Sequence, residues 1–528
     1  MTIFFARIIK ASTTVRVCAA FILLAGPIRP AAAGAGGEEL LRAHCSACHQ
    51  EKSGRFEHIS GIRQTPEGWL MTMQRMRELH GLVVDDKVRD ALVHYLSDTQ
   101  GLAPGETLAG RFALERRRNA ADLDLGVDIN TNCGRCHSLG WISLQHREEE
   151  EWRELARLHV GPRASLAHQG AAPDEAWLRI AAGAVATQLT ARFPLQTVSW
   201  TAWKDRPAAD LSGLWAVVGH VPGGQDFQGT ASIERNGAGD YRARYQLTDT
   251  AGAALHGESQ ATVYTGYEWR GHAKIRGRAL REIYSVGPSG NQIAGRWFDP
   301  DHAEDGGEWL AFRDNGKARM FAMLPHALRT GTSTEVVIVG TGLENQPGPL
   351  SLGEGTVVTN EQRDSHSIRA RVTIAEDAQP GSRNATVGSV GGLGLLAVYR
   401  QIDQLEVAPQ NATAQWGSGK AAPVSAQFEA IGSTRLANGA LLSLGPVAAD
   451  WSAVSLDPAK RSEDEHFSGQ IDQRGRFLPA PMGSKPARGF SGEHVDFSVI
   501  ARSREADHAE GRAQLIVTGE KKSTASIY

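Results

Sequence analysis

Apolar and polar positions follow two different periods along this chain. Before about residue 200 the apolar residues recur at helical spacing; Trp69, Met73 and Met76 stand at i, i+4 and i+7 behind a Thr65-Pro66 helix-start signal. From about residue 205 the pattern alternates strictly, as in residues 239–247, and Gly and Thr become frequent. The sequence therefore predicts a helical N-terminal part followed by a β-rich remainder.

The β-rich remainder is long enough for several domains, since a domain takes roughly 100–200 residues. Trp215 opens the alternating region and a similar segment around Trp297 recurs near its end, which predicts an antiparallel β-barrel over residues 205–317. Short strands at regular spacing then predict two immunoglobulin-like β-sandwiches, over residues 318–401 and 402–528. The predicted fold class is thus multidomain, α plus β.

The N-terminus resembles a secretory signal. Arg7, Lys10 and Arg16 precede an apolar run over residues 17–25, and the small residues 31–33 offer cleavage sites. A retained anchor is the alternative, but the run is shorter than the roughly 20 residues of a spanning helix, and no later apolar run reaches that length. We predict a cleaved signal peptide over residues 1–33, a periplasmic location and no membrane span.

Charge excludes one class of partner. The formal net charge is −3, with Lys and Arg mixed evenly among Asp and Glu. Nucleic-acid-binding proteins carry a concentrated basic field. We therefore expect no nucleic-acid partner.

The cysteines carry the most specific signal. Of five cysteines, Cys18 lies within the predicted signal. The other four form two C-x-x-C-H motifs, a spacing that lets two thiols add to the vinyl groups of one haem while the histidine reaches its iron. The prediction is two covalent haem c groups in a helical dihaem cytochrome c domain over residues 34–204, with units at about 38–103 and 120–200, attached through Cys45, Cys48, Cys133 and Cys136 and with His49 and His137 as axial ligands.

Zinc and disulfides are the rival uses of paired cysteines. A structural zinc site needs two pairs that converge on one ion, and a dithiol redox pair needs only one. Neither explains a histidine directly after both pairs, so haem is the favoured interpretation.

An internal repeat narrows the choice of the sixth iron ligands. Met71, Met73, Met76, His80 and His94 all follow the first motif. Aligning the segment around Trp69 with the one around Trp152 places Met76 opposite His159. We predict Met76 and His159 as the sixth ligands, and the main competitors are His80, His146 and His168.

Ligand type orders the two haems. A thioether ligand raises the reduction potential, so the His/Met haem should be the more oxidising of the two. Electrons would then pass from the bis-His haem to the His/Met haem. Because haem supplies much of the core of such small helical units, we expect the apoprotein to fold poorly there.

The domain order and several segments resemble the α subunit of quinohaemoprotein amine dehydrogenase. These segments include Thr65 to Trp69, the Arg75-Met76 pair, residues 336–343 and residues 467–472. The resemblance implies a β-propeller subunit and a small γ subunit carrying cysteine tryptophylquinone as partners. It also implies that primary amines are oxidised to aldehyde and ammonia at the quinone, and that the haems of this subunit pass the electrons to azurin or a cytochrome c.

On this interpretation the chain is the electron-transfer subunit of an oxidoreductase, with no catalytic residues of its own. The β region contains no phosphate loop, nucleophile elbow or metalloprotease helix, which agrees with that role. The alternatives are a dihaem carrier for another periplasmic dehydrogenase and a dihaem peroxidase. A peroxidase needs an open or displaceable sixth position, whereas both units here offer a candidate ligand.

Overall fold

The computed structural model describes residues 33–134, 137–160, 175–417, 422–458, 465, 468–481, 494–505 and 508–519. Residues 1–32 of the predicted signal peptide, Cys136 and His168 lie outside these residues. The N-terminal part is helical, with α1 (Ala33–Cys45), α2 (Pro66–His80), α3 (Asp86–Gln100), α4 (Pro104–Thr107), α5 (Arg111–Leu114), α6 (Val127–Cys133), α7 (Gly140–Ser143), α8 (Glu149–Leu158), α9 (Glu175–Ile180), a π-helical segment (Ala181–Val185), α10 (Ala186–Arg192) and α11 (Val198–Trp203).

Four short strands accompany these helices, and two of them join the halves of the repeat. β1 (Glu51–Lys52) pairs with β2 (Arg55–Phe56), and β3 (Ile62–Gln64) pairs antiparallel with β4 (Gln145–Arg147). The central pair of the second ladder is Arg63 and His146. These two are equivalent positions of the repeat, as expected for strands related by a local twofold axis. Each strand leads directly into the helix that ends near a predicted sixth ligand.

The barrel is an up-and-down meander of eight antiparallel strands, in which the last strand pairs with the first. Closure leaves no free edge. The strands are β5 (Gly213–His220), β6 (Asp226–Arg235), β7 (Asp240–Asp249), β8 (Ala254–Tyr264), β9 (Glu268–Ile275), β10 (Arg278–Val286), β11 (Gln292–Phe298) and β12 (Gly306–Arg313).

Large aromatic side chains fill the barrel. Trp215, Trp269, Tyr284 and Trp309 are all buried in its core. The buried carboxylate of Glu282 accepts hydrogen bonds within this packing, from the Tyr245 hydroxyl and the Ser259 hydroxyl at 2.6 Å each and from the Trp269 indole at 3.0 Å. The interior is therefore packed, as expected for a small barrel.

The third β region consists of two sheets that share one core. One sheet has the order β13-β15-β17-β16 and the other β14-β19-β18. Ile338 and Val372 on the first sheet and Val387 and Val398 on the second belong to the same buried cluster. The strands are β13 (Arg319–Leu324), β14 (Ala327–Arg329), β15 (Ser333–Thr341), β16 (Thr356–Arg363), β17 (Ser367–Ile374), β18 (Gly381–Val387) and β19 (Val390–Tyr399).

The last β region has three sheets in the residues that the structure describes: β20-β23-β24, β21-β29-β28-β25 and β22-β27-β26. Their buried residues form one cluster around Phe428, Phe477 and Phe497. The strands are β20 (Gln404–Ala408), β21 (Asn411–Gln415), β22 (Ala426–Gln427), β23 (Glu429–Arg435), β24 (Leu441–Pro446), β25 (Ala449–Ser455), β26 (Gly469–Ile471), β27 (Arg476–Pro479), β28 (His494–Ser503) and β29 (Glu510–Thr518).

The barrel docks against the helical part through ion pairs, of which one group is largely buried and another is partly exposed. Glu67, at the start of α2, forms an ion pair with Arg270 of β9, and Arg270 also contacts Glu268 at 3.0 Å. On another side of the interface, Arg117 forms an ion pair with Glu308 at 2.6 Å. The helical part is thus fixed to the barrel at several points.

None of the helices among the described residues is long and apolar enough to cross a membrane.

Candidate haem-binding sites

The first C-x-x-C-H motif begins at the end of α1. Cys45 packs against a small core that includes Leu41, Trp69 and Met73, whereas Cys48 is exposed. Both thiols are free. Burial raises the pKa of the Cys45 thiol, with a further contribution from Cys48. The motif therefore holds one thiol inside the first helical unit and one at its surface.

His49 follows this motif with one ring nitrogen already engaged. Its Nδ1 lies 2.9 Å from the carbonyl oxygen of Glu57. A carbonyl only accepts, so Nδ1 carries the proton and the lone pair of Nε2 is free for a metal. Haem-bound and other metal-bound histidines are oriented by hydrogen bonds of this kind.

The second motif repeats this arrangement at the end of α6. Cys133 packs against the core of the second unit, which contains Ile129, Leu139 and Trp152. The Nδ1 of His137 lies 3.1 Å from the carbonyl oxygen of Ser138, which again leaves Nε2 free. In both units the donor chemistry fits a covalently attached haem.

Met76 lies on the last turn of α2. Thr65 caps the start of this helix, with its hydroxyl 3.4 Å from the backbone nitrogen of Gly68, and Pro66 occupies the first turn. Gly81 ends the helix in the left-handed conformation at φ 72° and donates to the carbonyls of Arg77 and Met76. Met76 is half-buried, one turn beyond the buried Met73 of the first core.

His159 directly follows α8, at the equivalent position. Its Nδ1 lies 2.8 Å from the carbonyl oxygen of Leu155, and its ring contacts that of Trp177 at 5.7 Å between centroids. Burial lowers the pKa of His159, the hydrogen bond to the Leu155 carbonyl opposes this effect, and electrostatic interactions with His137 and Arg75 lower the pKa further. The structure therefore places His159 within electrostatic range of His137, the other predicted ligand of the same haem.

Two competing histidines are engaged elsewhere. Buried His146 has Nδ1 at 2.8 Å from the carbonyl oxygen of Pro194 and Nε2 at 3.8 Å from a carboxylate oxygen of Glu106. His94 pairs with Asp98 at 3.1 Å, and its ring lies against Tyr264 of the barrel. A third competitor, His80, is exposed at the end of α2. His146 and His94 are thus held by other groups of the protein, and Met76 and His159 stay the predicted sixth ligands.

Sequence reasoning missed a group of buried cationic and aromatic donors between the two units. Arg147 of β4 is 4% exposed, and its guanidinium bonds to the amide oxygens of Gln145 at 2.8 Å and Gln64 at 3.5 Å. It also lies over the ring of Trp152 at 5.6 Å. Arg75 of α2 donates to the Thr72 hydroxyl at 3.0 Å. The sequence gives one weak indication of this group: polar residues in β3 and β4 stand just before α2 and α8, the helices that carry or precede the predicted sixth ligands.

A zinc site has no support in the described residues, since no group of three or more His, Cys, Asp or Glu side chains there could hold a metal ion. Two C-x-x-C-H histidines, each oriented by a backbone carbonyl, precede a closed barrel and further β domains, and Cys45 and Cys48 of the first motif are free thiols. This combination defines a multidomain haem-binding protein.

Four family models match the chain in succession. They are described as "quinohemoprotein amine dehydrogenase A, alpha subunit, haem binding" for residues 35–200, and as domains II, III and IV of the same alpha subunit for residues 208–314, 317–400 and 405–527. The chain belongs to the quinohaemoprotein amine dehydrogenase α-subunit family. An α subunit implies a multisubunit dehydrogenase.

The search of curated proteins gives no match. Among solved structures, the designed β-barrel mFAP2b bound to DFHBI is 19% identical over 20% of this chain and 93% of its own, with a TM-score of 0.18. The ectodomain of the teleost fish polymeric Ig receptor is 10% identical over 39% of this chain and 100% of its own, with a TM-score of 0.22. These similarities are too low to support any argument.

Proposed function

We propose that this chain is the electron-transfer dihaem subunit of a periplasmic quinohaemoprotein amine dehydrogenase. A quinone-bearing partner would oxidise primary amines to aldehyde and ammonia, and two c-type haems of this chain would carry the electrons to azurin or a cytochrome c. One observation carries the proposal: in a chain covered by α-subunit models, both C-x-x-C-H histidines are oriented by a carbonyl with Nε2 left free.

The chain's own residues would hold and tune the two redox centres. Bound haem supplies one-electron chemistry. Cys45, Cys48, Cys133 and Cys136 would attach the haems, His49 and His137 would bind iron from one side, and Met76 and His159 from the other. No residue of the chain is assigned to amine oxidation, and cysteine tryptophylquinone is expected in a partner subunit.

The remaining parts of the proposal concern location and assembly. The charged and apolar pattern of residues 1–33 supports export with cleavage of a signal peptide. The two C-terminal β regions fit immunoglobulin-like sandwiches, because each encloses one core between several sheets. We propose that the chain assembles with a β-propeller subunit and a small γ subunit.

The test is purification of the native protein from the periplasm, followed by haem staining, mass analysis of the copurifying chains and addition of a primary amine. Two covalent haems that become reduced by the amine, in a complex with a small quinone-bearing chain, support the proposal. Two haems in a lone chain that does not respond to amines identify a carrier for another dehydrogenase. Peroxidase activity of the purified chain contradicts the proposed role.

Attachment is tested separately in each unit. In the double variant Cys45→Ala, Cys48→Ala the haem content should fall from two covalent groups per chain to one, because the first motif then has no thiol to form a thioether; it is measured as pyridine haemochrome against protein mass. Ser46→Ala is the matched control, because Ser46 is exposed within the same motif but carries no thiol. Unchanged haem content in this double variant contradicts the assignment of the first site.

A further inference from the structure

Two buried donor atoms between the two haem units have no acceptor among the described residues, and a buried arginine lies next to them. The Nε of Arg75 and the indole Nε1 of Trp152 are buried and have no hydrogen-bond partner. Arg147, between them, has no carboxylate within ion-pair distance among the described residues, although it is 4% exposed. Three neighbouring side chains from both units thus present hydrogen-bond donors without a matching anion.

The two buried arginines of the β3–β4 ladder differ in their partners. Arg63, on the partner strand β3, is 2% exposed and fully compensated: its guanidinium bonds to both carboxylate oxygens of Glu106, at 2.9 and 3.0 Å, and to the carbonyl of Gly101 at 2.9 Å. Removing a charge from water without a partner costs several kcal/mol. Arg147 has only neutral amide oxygens as hydrogen-bond acceptors among the described residues, and Glu151 acts on it electrostatically without forming an ion pair, so no carboxylate contacts its guanidinium.

The repeat shows the same difference at the tryptophans. Trp69 and Trp152 are equivalent and both are buried. The indole nitrogen of Trp69 donates to the carbonyl of Gln100 at 3.3 Å, whereas that of Trp152 donates to nothing. The unpaired tryptophan donor therefore lies in the second unit, where Trp152 packs in one core with Cys133.

The positive charge of Arg75 also lies within electrostatic range of His159, the predicted sixth ligand of the second haem. Arg75 acts electrostatically on both Arg147 and His159. Arginine keeps its charge when buried and forms a fork that suits carboxylates. The required ligand is thus a group with carboxylates, at the boundary of the two units and close to Cys133.

We propose that Arg75, Arg147 and Trp152 bind the propionate carboxylates of the haem attached in the second unit. The inference rests on the proposed dihaem function. These three are positioning residues: they would fix the second haem against the first unit and stabilise its ferrous state, because ferric haem carries one more positive charge and is disfavoured beside cations.

The experiment uses the native complex purified from the periplasm, with Arg75→Gln and Arg147→Gln compared with Arg153→Gln. Arg153 is the matched control, because it lies on α8 but is paired with Glu149 and Glu150 near the surface. We expect two covalent haems in every variant. The reduction potential of one haem should shift downward in Arg75→Gln and Arg147→Gln, stay unchanged in Arg153→Gln and return toward the wild-type value in Arg147→Lys.

Trp152→Phe is a second variant, for the case in which loss of a buried charge prevents the arginine variants from folding. It removes the indole donor but keeps an aromatic ring in the core. Infrared difference spectra between the oxidised and reduced forms should then show shifted haem carboxylate bands in Trp152→Phe and unshifted bands in Arg153→Gln. Unchanged potentials in both arginine variants, or unshifted bands in Trp152→Phe, overturn the inference while leaving the dihaem function intact. A wild-type protein without two covalent haems refutes the proposed function itself.

Discussion

At the scale of single residues, backbone carbonyls prepare the candidate iron ligands. His49, His137 and His159 each direct Nδ1 at a carbonyl oxygen, at 2.9, 3.1 and 2.8 Å. This fixes the same tautomer in all three rings and leaves Nε2 outward. His146 shares the carbonyl contact, at Pro194, but its Nε2 is buried and lies 3.8 Å from a carboxylate oxygen of Glu106.

Met76→His tests the assignment at the first site. We expect the reduction potential of the first haem to fall and the long-wavelength absorption band of sulfur-ligated ferric haem to disappear, because imidazole replaces thioether. Redox titration and absorption spectroscopy of the purified protein measure both. Met71→Leu, on the same helix, should change neither, and loss of the band in Met71→Leu instead would transfer the ligand role to Met71.

At the scale of elements, the junction between α2 and β9 depends on a buried group of three charges. Arg270 lies between Glu67 and Glu268, so two carboxylates share one cation. Arg270 lowers the pKa of Glu67 against the effect of burial, whereas burial, opposed by Arg270, raises the pKa of Glu268 to about 8. The arrangement is most favourable when only Glu67 is ionised.

This difference predicts a pH dependence of stability. The pKa of Glu268 is higher in the folded protein than its ordinary value near 4.5, so its contribution is complete below about 4.5 and is lost as pH rises through about 8. As the pH is raised from 6 to 9, the melting temperature of Glu268→Gln should therefore fall less than that of the wild type. Circular dichroism measures both melting temperatures. Glu258→Gln, exposed on the adjacent strand β8, should behave like wild type; equal slopes for all three proteins would contradict the assignment.

The elements differ in how far their sequences predict them. The Thr65-Pro66 signal places the start of α2 correctly, and strict alternation predicts β7, because each reflects local periodicity. The eight-stranded closed barrel confirms the predicted antiparallel barrel. The β3–β4 ladder was not predicted, since three-residue strands have no measurable period and their partners are far apart in sequence.

The sequence predicts only those residues of the candidate site that belong to a motif or to the internal repeat. C-x-x-C-H spacing identifies thiols and histidines, and the repeat identifies Met76 and His159 as candidates. Whether a buried donor is paired depends on three-dimensional neighbours: Arg63 and Arg147 are both buried arginines in one ladder, and only Arg63 has a carboxylate partner. The ligand assignments stay predictions until the haem-loaded protein is measured.

At the scale of the whole molecule, a charged histidine connects the barrel to the last β region. His220 of β5 lies 2.6 Å from both Asp226 of β6 and Glu429 of β23. These two carboxylates raise the pKa of His220 to about 10, against the opposing effect of burial. The imidazolium is thus a contact between domains that persists at neutral pH.

Removing this contact should destabilise the folded protein at neutral pH but hardly at alkaline pH. The contribution of His220 is complete below about 6.5 and is lost as pH rises through about 10. His220→Gln should lower the free energy of unfolding by about 2 kcal/mol at pH 7, and by much less above pH 10, in urea titrations. His256→Gln, an exposed histidine of the same barrel, is the control; an equal loss at both pH values would show that the charge is not responsible.

The β3–β4 ladder also constrains the order of assembly. Arg147 and Gln64 are 83 positions apart, so the first unit is synthesised in full before its partner strand exists. Contacts between distant segments form late, because the loop between them must close first. The ladder can therefore close only once both halves of the repeat are present, which makes it a late contact that joins the two units.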